Sequence, residues 1–271
     1  MTVCVGAICD GGKAAVVAAD KMVTFGPPML LQTEPPVLSK VNKLTEQAVL
    51  LFSGAVPDGE AIMGTVLPSI KATAPGAQKV AGIGEVVKQA YVALKRKRVE
   101  DTILMPLLGA DYDRFQALVA QSPSSALLTQ TMGLIMQHNL QLDVLLVGTD
   151  GDGSHLFVIT HPGVLLSLNT TAFASIGTGG LHAGVRMSLA QHTKDASLTD
   201  TIYNVYEAKR AAEVAPGVGK LTDMAVIKNG TVRMAEKALL ETLEQLHKEK
   251  PALTGPEQKR LKECCDDWIG K

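Results

Sequence analysis

Thr2 directly follows the initiator methionine. A threonine hydroxyl is a poor nucleophile at neutral pH and needs an adjacent base. If Met1 is removed, Thr2 carries that base itself. An α-amine has an unperturbed pKa of about 7.7–8.0, near working pH, and can take the hydroxyl proton through a water. With Met1 attached, the same nitrogen is an amide and accepts no proton. The small side chain of Thr2 makes Met1 a target for methionine aminopeptidase.

Other residue types suited to chemistry are spread along the chain. Gly177-Thr178-Gly179-Gly180 ends a strand-like run and opens a helical one. That geometry can bind phosphate, but there is no G-x-G-x-x-G and no downstream acid to hold a ribose. Asp150-Gly151-Asp152-Gly153 is similar to the start of a calcium loop. The twelfth position from Asp150 is His161 rather than Glu, which favours a hairpin turn. The six histidines are scattered and form no H-E-x-x-H; of these, only His182 lies close to Thr178. Cys4, Cys9, Cys264 and Cys265 form no C-x-x-C pair. They read as reduced thiols, with no structural zinc and no cofactor expected.

Composition narrows the field. The chain has 271 residues, 46% of them hydrophobic, and a net charge of −1. A sizeable core can be buried, in one large domain or one and a half ordinary ones. A near-neutral chain lacks the basic field that nucleic acids or anionic membranes attract. No run reaches the roughly 18 apolar residues of a membrane span, and Met1-Thr2-Val3-Cys4 leads into a strand without a signal peptide. A cytoplasmic protein is expected.

The elements that must position Thr2 follow from turns and periodicity. Residues 2–9 and 14–20 read as strands joined by Asp10-Gly11-Gly12-Lys13, since Asp-Gly and Gly-Gly tolerate positive φ. A second strand pair falls within 40–53; its return run Ala48-Val49-Leu50-Leu51-Phe52 is apolar throughout, so both faces should be covered. Helical stretches then fill roughly 58–140, starting at Asp58 or Gly59 and breaking at Pro75-Gly76. Segments 84–100 and 111–121 have helical spacing, as does Ser125 to Asn139, with Leu127, Met132, Ile135 and Met136 on one face. Lys95-Arg96-Lys97-Arg98 reads as a solvated helix end.

Strands resume at 141–148, 154–159, 163–168 and 173–177. Helices follow over about 181–194 and 198–214, the second closed by Pro216-Gly217. Strands 222–228 and 230–234 meet at Asn229-Gly230, a type I′ signal. A charged helical tail, interrupted by Pro251 and Pro256, covers 235–271. Clustered strands alternating with clustered helices predict an α+β fold, with two antiparallel sheets covered by helix pairs, rather than a βαβ array.

Three local patterns resemble one family. Thr2-Val3-Cys4-Val5-Gly6 leads to Ala18-Ala19-Asp20-Lys21-Met22-Val23-Thr24; Lys40-Val41-Asn42-Lys43-Leu44 precedes Leu51-Phe52-Ser53-Gly54; and Ser175-Ile176-Gly177-Thr178-Gly179-Gly180 follows. Their order is similar to proteasome β-type subunits and the peptidase subunit of the bacterial two-component protease. In that family a lysine opens the second strand pair and a glycine follows fourteen residues on; here 54 − 40 = 14, a spacing that favours Lys40 over Lys43. The three patterns cover most of residues 2–230.

The resemblance implies an N-terminal-nucleophile hydrolase: a four-layer αββα sandwich over 1–234 with a helical insertion near 96–140 and a helical extension at 235–271. It implies threonine-type peptide-bond hydrolysis with Thr2 as nucleophile. Lys40 would sit near the hydroxyl and favour alkoxide character, Asp20 would pair with Lys40, and the Gly54 N–H would stabilise the oxyanion. Thr178 would replace a serine near the amine. Thr24 would pair with an extended peptide, and Val23, Leu38, Phe52 and Val56 would line a pocket for an apolar side chain. Peptide or unfolded-protein substrates, a homo-oligomeric ring and an undetermined ATPase partner also follow from the resemblance, with Lys95 to Arg98 a possible ring contact and the tail available for assembly. One stretch departs from the family. Where it has Asp and then Ser-Gly, this chain reads Ala215-Pro216-Gly217-Val218-Gly219. Two alternatives stay open: a structural ring subunit of the same fold without activity, and an amidohydrolase acting on small amides.

Overall fold

The computed structural model describes residues 2–25, 31–35, 37–72 and 79–249. Met1, the Pro75-Gly76 helix stop, and Pro251, Pro256, Cys264 and Cys265 of the tail lie outside the described residues.

Strand β1 (Cys4–Cys9) turns through Asp10–Gly12 into β2 (Ala14–Asp20). Asp10, Gly11 and Gly12 all take positive φ there, as the turn composition predicts. Both strands are buried throughout, and apolar except for Asp20 at the end of β2. They form the middle of a five-stranded antiparallel sheet ordered β10-β1-β2-β11-β12, where β10 is Phe173–Ile176, β11 Thr222–Lys228 and β12 Thr231–Met234. Asn229 and Gly230 join β11 to β12 with φ of 52° and 69°, as a type I′ turn requires.

The second five-stranded antiparallel sheet runs β5-β6-β7-β8-β9, with β5 Asn42–Lys43, β6 Ala48–Ser53, β7 Asp143–Asp150, β8 Gly153–Thr160 and β9 Val164–Ser167. The two sheets share one apolar cluster. Cys4, Ile8, Val17 and Ala225 from the first meet Val49, Leu51, Leu145, Val147 and Leu156 from the second. Each fully buried Val, Leu or Ile among them contributes about 1.5–3 kcal/mol relative to exposure. The other face of the second sheet carries Leu50, Val144, Leu146 and Ile159 beneath helices α1 (Val56–Lys71) and α2 (Val80–Val99). Helices α6 (Gly180–Leu189) and α7 (Leu198–Ala211) pack against the first sheet. A small pair, β3 (Val23–Phe25) with β4 (Leu31–Thr33), is an addition that the sequence reading lacks.

Asp150 illustrates how the loops are committed to structure. Its carboxylate accepts from Val80 N at 2.8 Å, capping α2 from outside the helix, from Asp152 N at 2.9 Å, and bonds His155 Nε2 at 3.0 Å. Burial pushes its pKa up, but these partners outweigh that and hold it below the usual carboxylate value.

The helical insertion has its own core. Beyond α2 a π-type turn (Glu100–Leu104) leads to α3 (Met105–Leu108), α4 (Tyr112–Gln121) and α5 (Ala126–Gln137). Val99, Leu104, Phe115 and Leu128 meet there. Helix α4 starts at Asp111, whose side chain accepts from Arg114 N at 2.8 Å. The face expected for α5 is corrected. Leu127, Met132 and Met136 are exposed, and the helix instead buries Leu128 and Thr131, with Ile135 packed partly against the cluster. The Ala126-Leu127-Leu128 start and the Leu134-Ile135-Met136 end are apolar on every side, so periodicity does not select a face. Helix α8 (Lys237–Lys248) belongs to a separate unit that begins at Glu236.

Candidate active site

The β1–β2 hairpin brings the beginning of one strand beside the end of the other. Cys4 pairs with Ala19, so Asp20 faces Val3. Asp20 N donates to Val3 O at 3.2 Å and Val3 N donates to Asp20 Oδ1 at 3.0 Å. Asp20 is 0% exposed. Its second oxygen accepts from Met22 N and Gly219 N, each at 3.0 Å. Lys40 Nζ completes the set at 2.9 Å from Oδ1. A buried carboxylate is retained only where such partners replace its water.

Lys40 enters from the segment before β5 and is 7% exposed. Two neighbours fix its backbone. Ser39 Oγ bonds Val41 N and O at 3.2 and 3.1 Å, and Asn42 Nδ2 donates to Lys40 O at 3.1 Å and Leu50 O at 3.3 Å. The Lys40 ammonium therefore sits between Asp20 Oδ1 and Thr2 Oγ1, donating to both. Lys43 is paired with Glu46 at the surface, at 2.7 Å. The structure thus settles which lysine meets the hydroxyl.

Thr2 is itself 4% exposed, and its carbonyl accepts from Gly179 N at 3.1 Å. Gly177 makes this approach possible: at φ 89°, a Cβ would lie 2.4 Å from Thr2 O and 2.7 Å from Ser53 Oγ. Gly54 is similarly constrained, at φ 144° with a Cβ position 2.6 Å from Gln141 O.

A cavity of about 160 Å³ opens beside Thr2, lined by Val23, Thr24, Leu38, Lys40, Phe52, Gly54 and Val56. Met22, Ser39, Asn42, Ala55 and Glu60 line it as well. Asp20 stands behind Lys40, out of the cavity. Thr178 stands between Gly177 and Gly179, both of which approach Thr2. It is exposed, and among the described residues its hydroxyl makes no hydrogen bond; the turn reaches Thr2 through Gly179 instead. Two larger grooves, of about 780 and 770 Å³, lie elsewhere and are lined by none of Thr2, Asp20 and Lys40.

Nearby nucleophiles and ligands offer little competition. Cys4 Sγ is buried next to the site, and desolvation pushes its pKa up to about 12 although Lys40 pulls the other way. Cys9 rises to about 11, again from burial. Among the described residues no group of three or more His, Cys, Asp or Glu could hold a metal ion.

Sequence reading missed Ser39, Asn42, Glu60 and the Gly219 contact. The first two carry a local signal, since Ser and Asn flanking Lys40 by one and two residues can fold back on the backbone. Gly219 has none, because it reaches Asp20 across 199 residues. No protein-family model matches this chain, and no curated protein matches it.

Proposed function

We propose that the chain is a threonine-type hydrolase in which Thr2, freed of Met1, cleaves peptide bonds. The observation that carries this reading is the buried line from Asp20 through the Lys40 ammonium to Thr2 Oγ1. A cation held at a hydroxyl stabilises developing alkoxide charge, and the freed α-amine of the same residue is the base. The hydroxyl proton passes to the amine, Oγ1 attacks the substrate carbonyl, and the Gly54 N–H stabilises the oxyanion. Collapse breaks the C–N bond as the α-ammonium returns its proton to the leaving nitrogen, which expels the amine half of the substrate and leaves an ester on Thr2 with the α-amine again free. Water, activated by the same α-amine, then releases the acyl half.

The arrangement of two facing sheets with α1 and α2 on one side and α6 and α7 on the other supports a four-layer αββα, N-terminal-nucleophile architecture. The cavity beside Thr2 suits a single side chain. Its walls of Val23, Leu38, Phe52 and Val56 favour an apolar stem. Glu60 has no ion-pair partner among the described residues and adds a preference for a cationic tip. Leu181, Val185 and Leu189 form an exposed stripe along α6, which supports a homo-oligomer. No helix of the described residues is long and apolar enough to cross a membrane.

One observation favours a second reading, an inactive ring subunit of the same fold. Ala215 and Val218 are buried and apolar, and Val218 packs beside Gly179 next to Thr2. They offer the amine no side-chain partner. The two readings separate when a chain beginning at Thr2 is compared with one that retains Met1. Hydrolysis of peptide or small-amide substrates by the first and not the second supports the enzyme, and distinguishes peptidase from amidase. An inert Thr2-first chain refutes it.

A further inference from the structure

Lys209, on α7, is 0% exposed, and no step of the proposed reaction uses it. Burying an ammonium is strongly unfavourable unless acceptors are in place. It finds two. Nζ donates to Glu213 Oε1 at 2.7 Å and to the Lys220 carbonyl at 2.7 Å. Burial lowers its pKa, opposed by Glu213 and by Asp20.

The Lys220 carbonyl lies between two backbone donors that are also held by charged side chains. On one side Gly219 N donates to Asp20 Oδ2 at 3.0 Å, and on the other Leu221 N donates to Glu34 Oε1 at 3.0 Å. Three consecutive residues are thus gripped from three places: the end of β2, the segment after β4, and α7. Glu34 closes over Gly219 so tightly that a Cβ there would lie 1.8 Å from its Oε1. Ala215 and Val218 present no polar side chain, so the contact of this loop with Asp20 is made by main chain.

We propose that Lys209, aided by Glu34, is a positioning residue for the Thr2 chemistry. It fixes the 219–221 segment so that Gly219 occupies Asp20 Oδ2, which leaves Oδ1 to aim Lys40 at Thr2 Oγ1. The inference rests on the hydrolase reading above. It differs from a merely structural role because loosening the segment must alter the charge set around Thr2, and with it rate and pH dependence, more than substrate affinity.

The test uses the full chain beginning at Thr2. Peptide hydrolysis and its pH profile are measured for wild type, Lys209→Met and Glu34→Ala, with Thr2→Ala as the blank. Misplacing a reacting group by about an ångström costs on the order of a hundredfold. A fall in kcat of about ten- to a hundredfold is therefore expected, with KM unchanged and the acid limb of the profile displaced. A folded Lys209→Met with wild-type kcat and pH profile overturns the proposal. Should Lys209→Met not fold, Glu34→Ala decides: a lowered kcat with unchanged KM supports it, and wild-type kcat overturns it. A wild-type chain no faster than Thr2→Ala refutes the hydrolase reading and takes this inference with it. An active wild type with indifferent variants sinks the inference alone.

Discussion

Replacing Asp20 by Asn probes the centre of the site with a change of one atom. The carboxylate accepts from Val3 N and Lys40 Nζ on one oxygen and from Met22 N and Gly219 N on the other. An amide keeps one accepting oxygen and turns an NH₂ toward two donors. Either orientation strands two buried donors, at about 1–3 kcal/mol each. It also leaves the Lys40 charge uncompensated, and breaking one side of a buried pair costs about 3–5 kcal/mol. These terms overlap, so about 3–5 kcal/mol is the expected total. At about 2–4 °C per kcal/mol for a chain near this size, Tm should fall by about 6–20 °C. Lys40→Met removes the cation and leaves Asp20 its three N–H donors. Combining the two should cost less than the sum, with a coupling of at least about 0.5 kcal/mol, as residues in contact show. Thermal unfolding of wild type, both single variants and the double variant measures this. An Asp20→Asn chain within about 2 °C of wild type, less than 1 kcal/mol on this scale, would refute the reasoning. So would strict additivity.

Gly54→Ala forces a Cβ toward Gln141 O at a φ of 144°, and should cost about 1–3 kcal/mol of stability while lowering kcat; denaturant midpoints and kinetics report both. Glu60→Gln should reduce hydrolysis of peptides with a cationic residue before the scissile bond and leave apolar ones unchanged, as read from kcat/KM on paired substrates. His192 donates Nε2–H to Ile8 O at 2.9 Å, its Nδ1 is buried without a partner among the described residues, and burial lowers its pKa. Below the ordinary histidine value of about 6.5 the unfolded chain takes up a proton that the folded one refuses, so stability is full above that pH and declines as pH falls through it. A His192→Gln variant should show a shallower Tm decline between about pH 7 and 5.

The hairpins are legible because their signals are local. Asp10 to Lys13, Asn229-Gly230 and Asp150 to Gly153 each pair turn residues with apolar runs on both sides, and all three turns form. The site residues Thr2, Asp20, Lys40 and Gly54 are legible as a spacing, and the structure brings the first three into contact. What decides between Lys40 and Lys43 is less visible: the Ser39 and Asn42 side chains, which fold back on the chain around Lys40. The three-residue strands β3 and β4 are too short to show alternation. The buried face of α5 depends on Val99, Leu104 and Phe115 of other elements, so its own sequence cannot select it. Lys209 and Glu34 converge on the 219–221 segment only in the folded chain, and as isolated residues each reads as an ordinary surface charge.

The central claim is that the hydroxyl of residue 2 forms the covalent bond with substrate. It is tested most directly by treating the Thr2-first chain with a threonine-directed electrophile and mapping the adduct by peptide mass spectrometry. One adduct per chain on Thr2, absent from Thr2→Ala and strongly slowed in Lys40→Met, is the predicted result. Labelling elsewhere, or undiminished labelling of Thr2→Ala, would contradict the account.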